Sequence, residues 1–200
     1  MVTAVLVAVW LWVWQISELA GKESSARHDV LPDIETSRLT LRRPTPKDAV
    51  ALEATIDAVM LAGNGWTQRH GRALIKAVER GHPPPGLLVI ESRSEATVIG
   101  GATVHLGEDR TSVASIGWWI GPRHRRAGYA SEAVAALVDS IHDIGYTSVE
   151  IGTNESNLAV QRICDKIGAT EKDRRPQPLP DGSTVPGIWY EHHRVVTEPT

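Results

Sequence analysis

The sequence predicts one α/β domain, α+β in its mix of strand directions, built on a mixed central sheet of about six to seven strands flanked by about four helices. Two observations carry this reading. An apolar strand, Ala114 to Ile120, is followed by an amphipathic helix and then by a second strand, Ser148 to Thr153. Strand, crossover helix and strand form a βαβ unit, whose strands lie parallel and whose ligand site sits beyond their carboxyl ends. Most other short apolar runs are joined by turns of hairpin type, which make antiparallel neighbours.

The elements follow in order. Leu39 to Arg43 alternates apolar and polar residues as a half-buried strand does, and Pro44 and Pro46 stop it and open a helix over Lys47 to Leu61. Gly63-Asn64-Gly65 breaks that helix, and a second one, Thr67 to Arg80, ends at Gly81. The stiff Pro83-Pro84-Pro85-Gly86 connector leads into a short strand, Leu87 to Glu91. Ser94-Glu95 suits a hairpin turn before the strand Val98 to Leu106, and the turn from Gly107 to Arg110 precedes Ala114 to Ile120. In the crossover helix Ala130, Val134, Leu137, Val138 and Ile141 recur at helical spacing, so one face is buried, and Gly145 ends it. A helix Leu158 to Ile167 closes at Gly168, and Asp181-Gly182 is the turn of a hairpin returning along Ile188 to Val196.

Composition bounds the function. A chain of 200 residues, 42% hydrophobic and 22% charged with a formal charge of -3, reads as one globular domain with no overall attraction for nucleic acid. The single cysteine, Cys164, excludes an intrachain disulfide, and no spacing of zinc-ligand type is present. The expected location is the cytoplasm. Val2 to Trp14 is apolar apart from Thr3, shorter than the roughly 20 residues that cross a bilayer, and lacks the basic start and cleavage site of a secretory signal. A membrane or partner anchor, an added element packed on the domain, and an extension without a role all fit it. Residues 1–34 are therefore set apart as this segment and its polar linker, 35–196 as the domain, and 197–200 as a tail.

Between the strand Ile116 to Ile120 and the crossover helix stands Arg123-His124-Arg125-Arg126-Ala127-Gly128-Tyr129-Ala130-Ser131-Glu132-Ala133. A helix start leaves its first N–H groups without intrahelical partners and carries about half a positive charge, so a diphosphate can be held there by main chain. Gly128 and Ala130 keep the approach clear, and the arginines add attraction for an anion.

Three motifs then resemble the GNAT superfamily of acyl-CoA-dependent N-acyltransferases, most nearly the type that acetylates ribosomal-protein N-termini. The first is Arg125-Arg126-Ala127-Gly128-Tyr129-Ala130 with Ser131-Glu132-Ala133; the second is Ile116-Gly117-Trp118-Trp119-Ile120-Gly121-Pro122; the third is Asn157 followed by Asp165-Lys166-Ile167-Gly168-Ala169. Thr36 to Arg42 is also similar to the family's first strand. The resemblance implies a GNAT fold whose sheet splays around an acyl-CoA between Ile116–Ile120 and Ser148–Thr153. It further implies that main chain from Arg126 through Ala127, Gly128, Tyr129 and Ala130 to Ser131, aided by Arg125, holds the pyrophosphate. Main chain of Trp118 and Ile120 would pair with the pantetheine arm, and Asn157 would bond the same arm. Acetyl-CoA is then the co-substrate, a primary amine the acceptor, and no metal is needed.

The chain departs from the family at the chemistry. Ser115 stands where relatives commonly carry Glu, Val160 where the third motif has Ser, and Cys164 where other members have a general-acid Tyr. The candidate substitutes are His105, opposite Ser115 in the expected hairpin, as a base acting directly or through water, and Cys164 as proton donor to the thiolate. Trp118 and Trp119 point to opposite faces, so one is core and the other a wall of the acceptor channel; Trp119 is assigned to the wall together with Trp66. The expected acceptor is a peptide or protein N-terminal α-amine, with a small amine or aminoglycoside as the alternative. A non-catalytic acyl-CoA-binding module is the alternative of another class, and the protein is expected as a monomer or homodimer.

Overall fold

The computed structural model describes residues 31–107 and 113–194. The apolar Val2 to Trp14 segment, most of the turn after Gly107 and the 197–200 tail lie outside the described residues, and the readings of an anchor, a packed element or an extension with them. Among the described residues no helix is long and apolar enough to cross a membrane.

Among the described residues eight strands form one sheet: β1 Ile34–Glu35, β2 Leu39–Arg42, β3 Leu87–Ser92, β4 Thr97–His105, β5 Ala114–Ile120, β6 Ser148–Asn154, β7 Thr170–Pro178 and β8 Thr184–His193. Their order is β1-β2-β3-β4-β5-β6-β8-β7, and every neighbouring pair is antiparallel except β5 and β6. The expected six to seven strands become eight because the short β1 adds to the edge, pairing Ile34 with Leu41. β8 begins earlier than the predicted Ile188, since the hairpin pairs back to Pro178 and Thr184.

Among the described residues five α-helices accompany the sheet: α1 Ala49–Glu53, α2 Ala58–Gly63, α3 Gln68–Glu79, α4 Tyr129–Asp143 and α5 Leu158–Ile167. The single helix expected over Lys47 to Leu61 is instead a 3-10 turn, Pro46–Asp48, followed by α1 and α2. Local side chains interrupt it. Thr55 Oγ1 donates to the Leu52 carbonyl at 2.7 Å, and Asp57 accepts from the Met60 N–H at 2.8 Å, which makes it the N-cap of a new helix. The other predicted helices stand within a residue or two of their expected ends.

The sheet's two faces carry separate cores. Val134, Leu137, Val138 and Ile141 of α4 and Cys164 of α5 pack on Leu41, Ile90, Ile116, Ile151 and Ile188. On the other face Leu52, Met60, Leu74, Ile75 and Val78 of α1–α3 pack on Leu87, Val89, Val98 and Trp119. A partly buried ion cluster braces the second layer. Arg42 donates to both oxygens of Asp48 at 2.9 and 2.8 Å and to Glu91 at 2.8 Å, while Asp48 also takes the Thr45 N–H and hydroxyl. The Arg42 hydrogen bonds, reinforced by those from Thr45, overcome burial and hold the Asp48 carboxyl at about 2, below its usual 3.8. A depressed carboxylate stabilises the fold fully above the unfolded value and loses that contribution as pH falls through the folded one. Asp48 is therefore expected to contribute about 2 kcal/mol at neutral pH that disappears between about pH 4 and pH 2. Asp48→Asn should flatten the acid limb of a stability-versus-pH curve measured by urea unfolding; an unchanged limb would contradict this.

Candidate active site

The site is built on a parting of strands. Among the described residues β5 and β6 pair at only two positions, Ala114 with Val149 and Ser115 with Glu150. Beyond them β5 continues to Ile120 against β4, and β6 continues to Asn154 against β8. The Gly121 N–H donates to Ile99 of β4 at 2.8 Å, so by strand alternation Trp119 also turns its main chain to β4, and Trp118 and Ile120 turn theirs into the split. The Ile120 carbonyl already accepts from Arg125 Nε at 2.8 Å. The Ile120 N–H and both main-chain groups of Trp118 are left to meet an extended ligand.

At the open end of the split the chain turns into α4. Arg126 and Gly128 take left-handed backbone, φ 62° and 83°, and the first intrahelical bond is Glu132 N to Gly128 O at 3.1 Å. The N–H groups of Tyr129, Ala130 and Ser131 have no partner inside the helix. That is the geometry of an anion cradle. The cradle is braced from the turn before β2: Arg38 donates to the Ala127 carbonyl at 3.0 Å and to Glu132 at 2.6 Å, and its guanidinium lies 4.6 Å from the Tyr129 ring centre. Glu132 further accepts from Thr36, Ser37 and the Arg38 N–H. Partial desolvation pushes the Glu132 carboxyl up, but the bonds from Thr36, Arg38 and Ser37 outweigh it and hold it below the usual glutamate value. Arg125 is also a brace: it donates to both oxygens of Asp57 at 2.9 and 2.7 Å. Arg125, expected beside the pyrophosphate, is placed as a clamp between α2 and the end of β5.

The face opposite α4 and α5 carries the polar groups. Ser115, Glu150 and Glu191 lie in one row across β5, β6 and β8, and Gly152 and Trp189 form the next pair along β6 and β8. Glu150 is 8% exposed and takes Arg175 on both oxygens at 3.4 and 3.3 Å, with Lys172 at 3.6 Å. Arg175 also covers the Trp189 ring at 3.9 Å. Over this face the helical side meets the β7–β8 hairpin: a side chain at Gly65 would stand 2.5 Å from Leu179 Cβ. Two buried side-chain polar atoms have no hydrogen-bond partner among the described residues, Ser115 Oγ and Trp189 Nε1.

The sequence model for the Acetyltransferase (GNAT) domain matches residues 38–170, spanning β2, the split, the cradle and α5. The chain belongs to the GNAT acetyltransferase family. Solved structures share the fold: a GNAT-family acetyltransferase from Bacillus anthracis is 20% identical, with 81% of this chain and 98% of that one covered at a TM-score of 0.68. A candidate ribosomal-protein-serine acetyltransferase from Vibrio cholerae is 25% identical, with 82% and 98% covered at 0.67. The microcin C7 self-immunity acetyltransferase MccE, in complex with acetyl-CoA and AMP, is 16% identical, with 80% and 94% covered at 0.66. None of the curated proteins compared matches the chain by sequence.

The GNAT frame orders the residues singled out from sequence. His105 stands opposite Ser115 in the β4–β5 register, as expected. Trp118 is half-buried against the α4 face, and Trp119 is 6% exposed on the other, donating its Nε1–H to Thr55 Oγ1 at 2.9 Å. Trp119 thus serves the core, with Trp66 tilted over it at 6.2 Å; of the two expected channel walls only Trp66 is half-exposed. Asn157 caps α5 by accepting from the Val160 N–H at 3.4 Å, and its amide nitrogen bonds no described group. Cys164 is fully buried in the α4-side core, where desolvation and Asp165 push its thiol up to about 12. Burial that favours the neutral thiol makes Cys164 a poor proton donor to a thiolate. This placement gives Cys164 a packing role instead of the expected acid role. Glu150 was missed by sequence reasoning, because only the β5–β6 register places it beside Ser115. Among the described residues no group of three or more metal-ligating side chains is assembled.

If the left-handed turn shapes the cradle, Gly128→Ala should weaken coenzyme A binding about tenfold by calorimetry, the cost of forcing a side chain into that conformation. Gly168, with φ 81° and open space around it, is the matched control. Gly168→Ala should lower stability similarly while leaving coenzyme A affinity unchanged.

Proposed function

We propose that the protein is an acetyl-CoA-dependent N-acetyltransferase whose acceptor is a primary amine, in particular a peptide or protein N-terminal α-amine. The observation that carries this reading is the buried Glu150 carboxylate on the acceptor face, beside Ser115, where β5 and β6 part. Acetyl-CoA suits the split: both main-chain groups of Trp118 and the Ile120 N–H for the pantetheine, Asn157 beside it, and the Arg126 to Ser131 cradle for the pyrophosphate. These residues orient the thioester; the acetyl group to be transferred comes with the co-substrate.

The transfer then needs a neutral amine held against the thioester carbonyl. The amine nitrogen forms a bond to that carbon, the carbon–sulfur bond breaks, and the electron pair leaves on the coenzyme A sulfur. One amine proton passes to Glu150, directly or through a water at Ser115, and the thiolate takes a proton from solvent. Glu150 replaces the carboxylate that relatives carry at the Ser115 position, one strand away on the same face. His105, in the same row, is a second proton-accepting group for this step. A peptide acceptor is supported by the likeness to the Vibrio cholerae structure and by the modest charge of this face, where Arg175 and Lys172 already offset Glu150. A polycationic acceptor would need more negative charge than that.

Glu150→Gln should lower acceptor-dependent thiol release about 10²–10³-fold while leaving acetyl-CoA affinity unchanged, the signature of a lost base. An unchanged rate would overturn the assignment of Glu150. Faster transfer to aminoglycosides than to N-terminal peptides would overturn the acceptor.

A further inference from the structure

Glu150 does not stand alone in its row. Its register partner on β8 is Glu191, so two carboxylates face each other across neighbouring strands, and Glu150 is buried. Like charges directly opposite destabilise a sheet, and burial disfavours an ionised carboxyl. Cations from β7, the next strand out, answer both effects. Lys172 lies 3.0 Å from Glu191 and 3.6 Å from Glu150, and Arg175 Nη2 donates to the two Glu150 oxygens at 3.4 and 3.3 Å. The Lys172 side chain is 37% exposed and that of Arg175 19%, so solvent screens Lys172 the more strongly.

The Arg175 guanidinium is held on three sides. Asp173 accepts from its Nη1 at 2.7 Å, the Trp189 ring lies 3.9 Å beneath it, and Glu150 takes Nη2. The ring is held in turn: its six-membered edge lies over Gly152, where a side chain would stand 2.4 Å away. Arg175 thus reaches from β7 across a β8 ring to a β6 carboxylate. Ser115, the register partner of Glu150 on β5, lies on the opposite side. The side of the carboxylate toward the parting strands is left to the acceptor.

We infer that Arg175 is a positioning residue for the transfer: it keeps the Glu150 carboxylate ionised and turned toward the split, with the Trp189 ring as its platform. The inference rests on the proposed role of Glu150 and deepens it. A base must be unprotonated to take the amine proton, and a cation in contact favours the charged carboxylate. A guanidinium keeps its charge throughout the working range of pH, so this support does not titrate away. The other titratable groups in or beside the row are Glu191 and His193 on β8, Lys172 and Asp173 on β7, and His105 on β4. All of them stay in place in the variants below.

The test follows the variant-to-wild-type ratio of kcat/KM with pH, using acetyl-CoA and a short peptide amide with a free N-terminus. The ionisation of the amine is common to both proteins and cancels. Arg175→Met keeps a chain that can lie on the Trp189 ring and removes the charge. Its ratio should fall by roughly threefold or more from about pH 8 to about pH 5, with coenzyme A affinity unchanged. Arg175→Gln should behave alike and covers the case in which Arg175→Met fails to fold, while Arg175→Lys, which keeps the charge, should show the smaller fall. In a Glu150→Gln background Arg175→Met should add no pH-dependent loss. A ratio that stays flat with pH, or a fall as large in Arg175→Lys, would overturn the inference while Glu150 stands as the base. If Glu150→Gln transfers at the wild-type rate, or wild-type protein does not transfer at all, the proposed function fails and this inference with it.

Discussion

The short parallel ladder between β5 and β6 governs the rest of the molecule. Two pairs, Ala114 with Val149 and Ser115 with Glu150, join the halves of the sheet, and beyond them each strand is committed elsewhere. β5 is held by six pairs to β4, and β6 by seven pairs to β8. Closing the split would mean breaking those antiparallel ladders or turning Trp119 out of its core and away from Thr55. The opening is therefore a standing property of the fold, and it leaves an unsatisfied strand edge that an extended ligand can complete.

The cradle depends on the same arrangement from the other side. α4 starts where β5 ends, and its position is set by Arg125, which ties the Ile120 carbonyl to Asp57, and by Glu132, which gathers Thr36, Ser37 and Arg38. The arginines of the basic loop divide into two kinds. Arg125 is spent on structure, whereas Arg123 and Arg126 remain exposed to attract an anion. Charge density in the loop is thus a poor guide to which side chain meets phosphate, and main chain from Tyr129 to Ser131 is the better one.

Much of the fold was legible because it lies in short-range signals. The βαβ unit, the α5 boundaries and the Asp181-Gly182 hairpin follow from periodicity and from turn residues. The opposition of His105 and Ser115 followed from the length of one hairpin. The break between α1 and α2 was not legible, since apolar spacing runs on through it and the interruption comes from Thr55 and Asp57 bonding their own backbone. Glu150, Trp189 and Arg175 were missed for a different reason. Each is unremarkable along the chain and acquires meaning only through the register of β6, β8 and β7, where pairings between strands far apart in sequence bring them to one face. The pairing of Arg125 with Asp57 was not legible for the same reason, its members being 68 residues apart.

The central claim is that an acyl-CoA completes the open edge of β5 and rests on the start of α4. Residue-resolved amide hydrogen exchange with and without coenzyme A tests it most directly. The account predicts new protection at the Trp118 and Ile120 amides and across Tyr129 to Ser131, with little change at Trp119 and Gly121, whose main chain already faces β4. Binding that leaves Trp118 and Ile120 exchanging as in the free protein would contradict it.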